Sequence, residues 1–336
     1  MKRPWLAALA ALIGLGLLAA AGTLNLERWG SFAIFFVIQA SIYALLTLGL
    51  RVQWGSTGLF NLGVSSLFAL GAYTSALLTK SPIASAGELA GAGLPFGVGL
   101  LGGMLVASVA AVALGAFTLR LRGDYLAMVT LGAGEIIQLI LMNEEPLTHG
   151  PEGLRAIPQP WHSLLSPRDY NFLYGVIVLT ALVLGYLLLK RLVRSPWGRA
   201  LRAVRDDEEA AEALGKHVFR FKLQAFVVGS ALMGLAGGLY AHFTTFISPA
   251  DFEPLQTFIV WMMLIVGGST SNRGAAGGAY LIWGLWVGTS VLSGLFPSIW
   301  AVKFAYMRVI AIGLTLQWIL IKYPQGVWGE RRRSRD

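Results

Sequence analysis

Long apolar runs succeed one another along the chain, separated by short polar segments rich in Lys and Arg. A bilayer-spanning helix needs about 20 mostly apolar residues, and runs of that kind fall at 5–23, 30–50, 59–79, 94–119, 125–142, 171–189, 223–247, 254–268, 275–296 and 304–321. They predict an all-α polytopic membrane protein with about ten transmembrane helices. No segment between the runs is long enough to bury a core of its own, so 1–336 reads as a single transmembrane domain. The run at 254–268 is short and fits either a full span or a re-entrant segment. The first run follows Met1-Lys2-Arg3 and ends in Ala19-Ala20-Ala21-Gly22, in part like a signal peptide. Its apolar stretch exceeds the usual 7–15 residues of such a signal, and a retained helix is expected.

Composition narrows the class further. Hydrophobic residues make up 56% of the 336 and charged residues only 13%, against about 25% charged in a soluble domain. A soluble enzyme or a disordered tail is excluded. The net charge of +9 does not point to nucleic acid, because the cations sit between apolar runs. With the N-terminus inside, twenty of the 26 Lys and Arg fall on inward segments, nine of them between Lys190 and Lys222. This bias predicts both termini in the cytoplasm and an even number of spans. Tryptophans such as Trp29, Trp54, Trp161 and Trp197 fall at predicted membrane edges, where they anchor the protein in lipid. There is no cysteine, hence no disulfide and no thiol chemistry.

Signatures of covalent chemistry are missing. The Gly215-Lys216 pair has Ala210 where a phosphate loop needs its first glycine and His217 where it needs a hydroxyl. The four histidines, His149, His162, His217 and His242, lie on different segments. Neither a His-Glu-x-x-His nor a Gly-x-Ser-x-Gly motif occurs. An enzyme is not expected, nor a metal or a cofactor held by this chain.

The inward loop at 190–222 carries the most information. Ser195-Pro196 reads as a helix start, with a side-chain cap and a proline whose missing N–H costs nothing. The helix is expected to reach about Arg205. Asp206, with Glu209 three residues later, predicts a second cap, and Gly215 a left-handed stop. The second helix should then be about 8 residues, roughly 12 Å, long. A short rigid helix projecting from a membrane domain suits a groove on a soluble partner. Arg199, Arg202 and Arg205 share one face of the first helix.

Glu209-Ala210-Ala211-x-x-x-Gly215 resembles the docking motif of bacterial ABC importer permeases. Arg122-Gly123-Asp124-Tyr125-Leu126-Ala127-Met128-Val129-Thr130-Leu131 with Gly134-Glu135 is similar to branched-chain amino-acid permeases of the LivM type. So are Leu147-Thr148-His149-Gly150-Pro151-Glu152-Gly153-Leu154, Gly58-Leu59-Phe60-Asn61-Leu62-Gly63 and Pro324-Gln325-Gly326. The chain departs from that pattern at His149, where glycine is more usual, and at Trp54, usually a smaller site. The resemblance implies a permease subunit of the bacterial inner membrane, importing branched-chain or related hydrophobic amino acids. Urea or another small polar solute is the alternative in the same architecture. It also implies a second homologous permease, two ATP-binding subunits that hold the nucleotide, and an extracytoplasmic solute-binding protein. Arg205, Asp206, Glu208, Glu209, Ala210, Ala211 and Gly215 are the expected ATPase-coupling residues. A self-sufficient secondary transporter should need more charged groups at membrane depth than this chain offers.

One such group is Glu135, 11 residues past Asp124 and so roughly 16 Å into its helix. It could bind a substrate ammonium or pin a neighbouring helix. The helix expected over 59–79 places Gly58, Asn61, Ser65, Ala72 and Ser75 along one small polar stripe, which either lines a pathway or lets helices pack closely. Asn61, Ser65 and Glu135 are the pathway candidates. The pairs Gly99/Gly103, Gly234/Gly238, Gly274/Gly278 and Gly284/Gly288 read as packing contacts.

Overall fold

Two long helices form the centre of the bundle in the computed structural model: α1 (Leu26–Leu50), extended by a π-helical turn at Arg51–Gly55, and α8 (Val218–Thr244). The structure describes residues 26–82, 90–121, 123–162, 165–293, 310, 313–314, 317–318, 321 and 326–328. Around the central pair stand α2 (Val64–Thr79), α3 (Phe96–Thr118), α4 (Asp124–Asn143), α5 (Pro167–Arg194), α9 (Pro254–Gly267) and α10 (Asn272–Ser293). Two short helices, α6 (Pro196–Asp206) and α7 (Glu208–Ala213), link α5 to α8. Among the described residues the only strand-like pairing is an isolated antiparallel bridge between Leu154 and Ile247.

Six stretches among the described residues are long and apolar enough to cross a bilayer: Gly30–Gly55, Phe96–Thr118, Asp124–Asn143, Asp169–Arg194, Val218–Thr244 and Pro249–Gly267. Val64–Thr79 is a shorter apolar helix. The expected runs at 5–23 and, for the most part, 304–321 lie outside the described residues. The short run at 254–268 gains length from a 3₁₀ turn at Pro249–Phe252 with a Ser248/Asp251 capping box. The run at 223–247 is shifted, since its helix begins at Val218.

Where α2, α3 and α8 meet, small residues bring the backbones close together. On α3, Gly99, Gly103, Ala107, Ala111 and Gly115 recur every fourth position and are buried. Leu101, Leu105 and Val109 on the opposite face are over 60% exposed. Lipid is as apolar as leucine, so burying large side chains gains little here, whereas close backbone approach gains dispersion contacts. The approach is tightest where α2, α3 and α8 meet. A Cβ added at Gly71 would sit 2.2 Å from the Gly234 carbonyl oxygen, and one at Gly234 would sit 2.6 Å from that of Gly103. Gly99, Gly238, Gly274 and Gly278 are likewise in close contact, while a Cβ at Gly288 would meet nothing within 4 Å.

The expected helix over 59–79 is not continuous. Gly58 turns the chain with φ +75°, and regular structure resumes only at Val64. Asn61 therefore lies off the helix, in an irregular stretch, and shares no helical stripe with Ser65 and Ser75. Its Oδ1 accepts from the Gly63 amide (2.8 Å), an Asx turn that competes with helical bonding. At the opposite end of α2 from this break, Ser75 bonds to the buried His242 (3.0 Å), whose Nδ1 lies 2.8 Å from the Pro158 carbonyl oxygen. These bonds bind the 154–161 segment to the bundle.

Candidate functional site: the helix break and the loop beneath it

Buried backbone outside regular helix must find partners for its polar groups, and the break between α1 and α2 does so with side chains. Gln53, fully buried on the π turn, donates to the Phe226 carbonyl (3.0 Å) and lies 3.2 Å from the Ser230 hydroxyl. Its Oε1 accepts from Asn61 Nδ2 at 2.8 Å. The Asn61 carbonyl accepts from Trp261 Nε1 (2.9 Å), and the Leu62 amide donates to Thr130 Oγ1 on α4 (3.0 Å). Ser65 donates its amide to Thr257 Oγ1 on α9, and the two hydroxyls lie 3.1 Å apart. Trp54, Phe60 and Trp261 pack as one aromatic cluster, with centroids 4.5–5.3 Å apart. Trp54, unusually large for its site by the sequence resemblance, is thus part of the wall of this break.

Beneath the break lies the loop. α6 is amphipathic and buries Gly198, Leu201 and Val204. Its start differs from expectation: the Ser195 hydroxyl donates back to the Leu192 carbonyl (2.6 Å) and caps no amide. Its end differs too. Asp206 is the last residue of α6, and Asp207 Oδ1 accepts from the Ala210 amide (3.0 Å) to cap α7. α6 thus runs one residue further than expected, with Leu201 and Val204 buried beneath it, and the cap moves by one residue. α7 has six residues rather than about eight. Gly215 ends it with φ +75°, and the Lys216 amide returns to the Ala211 carbonyl (3.1 Å).

One side chain bonds the loop to the end of α1 beside the break, and another ties α7 to α8. Arg205 Nη1 donates to the Gly55 carbonyl (2.7 Å), while its Nη2 pairs with Asp206 Oδ1 (3.1 Å). Lys222, buried on α8, pairs with Glu208 on α7. A cavity of about 330 Å³ lies between them, with Gly58 and Phe60 of the break on one wall and Asp207, Glu208 and Glu209 on the other. Of the expected coupling residues, Glu208 and Glu209 line this cavity, Arg205 bonds Gly55, and Asp206 pairs with Arg205. Ala210 and Gly215 lie on the exposed side of the loop and Ala211 is buried.

Glu135 is placed differently. Its carboxylate is exposed on α4 and makes no hydrogen bond or ion pair among the described residues, so it pins no described helix. It shares an exposed stripe with Met128, Ile136 and Leu139, next to Gly132, where an added Cβ would meet nothing within 4 Å. Gln53, Trp261, Thr257 and Lys222 were not apparent as site residues from sequence.

The sequence profile described as branched-chain amino acid transport system / permease component matches residues 32–313. The high-affinity branched-chain amino acid permease protein LivM of Salmonella typhimurium is 37% identical over 253 residues, 69% of this chain and 57% of its own length. LivM of Escherichia coli gives the same figures. LivH of Salmonella typhimurium is 24% identical over 303 residues, 87% of this chain and 93% of its own length. The match thus spans little more than half of the LivM proteins. No solved structure matches. The family consists of transport permeases rather than catalysts, and with its profile covering most of the sequence, this chain belongs to the branched-chain amino acid transport system permease family.

Proposed function

We propose that the chain is the permease subunit of an ABC importer, carrying branched-chain or related hydrophobic amino acids inward on ATP hydrolysed by partner subunits. The observation that supports this best is the bonded connection from the end of α6 through Arg205 to Gly55, at the end of α1 beside the break. A docked ATPase that shifts the loop would pull directly on irregular backbone inside the membrane, where helix breaks commonly form substrate sites. The 190–222 segment and both termini face the cytoplasm in this reading. The partners are a second homologous permease, two ATP-binding subunits and an extracytoplasmic binding protein, and the chain needs no cofactor of its own. Similarity to both LivM and LivH, each named a permease protein of a branched-chain amino acid transport system, favours a pair of related permeases. Vesicles containing the chain alone should show no amino-acid uptake under an ion gradient, and uptake should appear when ATPases, second permease and binding protein are added. Gradient-driven uptake by the chain alone would sink the proposal.

The exposed α4 stripe is assigned to the second permease and the pathway between the two. A carboxylate facing lipid at membrane depth is costly, and Glu135 has no partner within the described chain to offset it. In the assembled pair it can meet the substrate ammonium. Glu135→Gln and Glu135→Leu should therefore leave the melting temperature of the isolated chain unchanged. Uptake should fall roughly 10- to 100-fold, as for the loss of a charged hydrogen bond. Wild-type uptake in both variants would remove the pathway role.

Gly215→Val tests the docking face. The left-handed backbone disfavours a β-branched residue, while an added Cβ meets open space. The variant should insert and melt normally yet co-purify poorly with the ATPase. Normal association would make the loop a simple connector.

A further inference from the structure

A second cavity, of about 360 Å³, opens at the basic end of the bundle between α5, α6 and the start of α10. Arg51, Lys190, Arg194, Arg202 and Arg273 line it together with Tyr186, and no carboxylate is among its lining residues. Arg51 is buried at this site, its guanidinium donating to the Thr270 carbonyl (2.9 Å) and to Ser56 Oγ (3.2 Å). A concave wall of one sign focuses the field and concentrates counter-ions. The 22-residue α10 begins at Asn272, on the rim, so the positive end of its dipole adds to that field. Arginine presents a planar fork of donors suited to phosphate oxygens.

The geometry of α5 selects the source of that phosphate. Val183, Leu187, Lys190 and Arg194 lie at i, i+4, i+7 and i+11, on one helical stripe. Val183 is 52% and Leu187 50% exposed, with Leu184 and Leu188 beside them at 62% and 52%. An exposed apolar band thus leads straight into the cationic cavity, with Leu187 roughly 10 Å along the helix from Arg194. A soluble anion would make no use of the band. A phospholipid uses both parts.

We propose that this cavity binds one anionic phospholipid, its phosphate held by Arg194, Arg202, Arg273 and Lys190 and its acyl chains lying along Val183 and Leu187. Arg202 belongs to α6, so the lipid bridges the transmembrane helices α5 and α10 to the loop that holds Arg205. The anionic content of the leaflet facing the cytoplasm then sets how firmly α6 is held.

The test uses the full chain in detergent, with phosphatidylglycerol, phosphatidylcholine or inorganic phosphate added, and reads bound lipid by native mass spectrometry and thermal stability by melting. Wild type should retain one phosphatidylglycerol in preference to phosphatidylcholine and melt higher with it. Arg194→Gln/Arg202→Gln/Arg273→Gln should retain it at least about tenfold more weakly. These three side chains are exposed, so the variant should fold. Arg194→Lys/Arg202→Lys/Arg273→Lys should recover most of the retention. Equal retention of the two lipids by wild type overturns the proposal, whatever the variants do. So does inorganic phosphate raising the melting temperature as much as phosphatidylglycerol, which would mark a site for small soluble anions. Unchanged lipid retention in the Gln variant with loss of the ATPase on co-purification overturns it too, by assigning the surface to a protein partner.

Discussion

Gly71→Val is expected to prevent the bundle from forming. A valine there drives its Cβ to within 2.2 Å of the Gly234 carbonyl oxygen and 2.4 Å of its Cα. Both are backbone atoms of a central helix, and neither can move as a side chain would. On its other flank Gly71 meets α3, where a Cβ at Gly103 would lie 2.7 Å from the Gly71 carbonyl oxygen. Separating α2 from α8 therefore also opens the contact with α3. The cost should reach or exceed the upper end of ordinary overpacking, about 3 kcal/mol. Gly132→Ala is the matched control, because its added Cβ meets nothing within 4 Å and alanine favours the helix. Monodisperse yield on size exclusion and melting in detergent should collapse for the first and hold for the second. Equal behaviour would mean that the three backbones do not touch as described.

The glycine contacts were legible in sequence because a membrane helix that packs closely must place small residues four apart, and Gly99/Gly103 and Gly234/Gly238 do so. The helices themselves were legible because lipid leaves the backbone few alternatives. The break at Gly58–Gly63 was not. Its Leu59, Phe60 and Leu62 are as apolar as a span, and the groups that satisfy its backbone, Thr130 and Trp261, are 68 and 200 residues from their partners. The choice between Asp206 and Asp207 as the α7 cap was also beyond local pattern, since it depends on how far the preceding helix runs. His149 shows the reverse case. It stands where the family resemblance led one to expect glycine, and its backbone adopts φ 63°, the left-handed conformation that glycine takes without strain. Its ring nitrogen, 3.3 Å from the Gly153 carbonyl, closes the same turn. For Glu135 the depth was readable and the direction was not, because a lone acid in a span says nothing about which face it occupies.

Arg205→Gln should uncouple the loop from the break while leaving the fold largely intact. At the end of the π turn the Gly55 carbonyl has run out of helical partners, and the guanidinium supplies one at 2.7 Å. The same side chain pairs with Asp206 on the last turn of α6. One residue therefore holds the end of a central transmembrane helix and the end of a loop helix together. Its side chain is 26% exposed, so water can replace part of the bond, and the loss of stability should stay near the lower end of charged hydrogen bonds, about 1.5 kcal/mol. The functional loss should be larger, because no other described side chain joins α6 to Gly55. With ATPases and binding protein present, the variant should still hydrolyse ATP but carry far less amino acid per ATP consumed. Arg205→Lys retains the charge and one donor to Gly55, yet lacks the planar fork that reaches Asp206 at the same time, and should fall between the two. Wild-type transport per ATP in Arg205→Gln would show that force passes through the Lys222–Glu208 pair instead, and the same measurement on Lys222→Gln would then show the uncoupling.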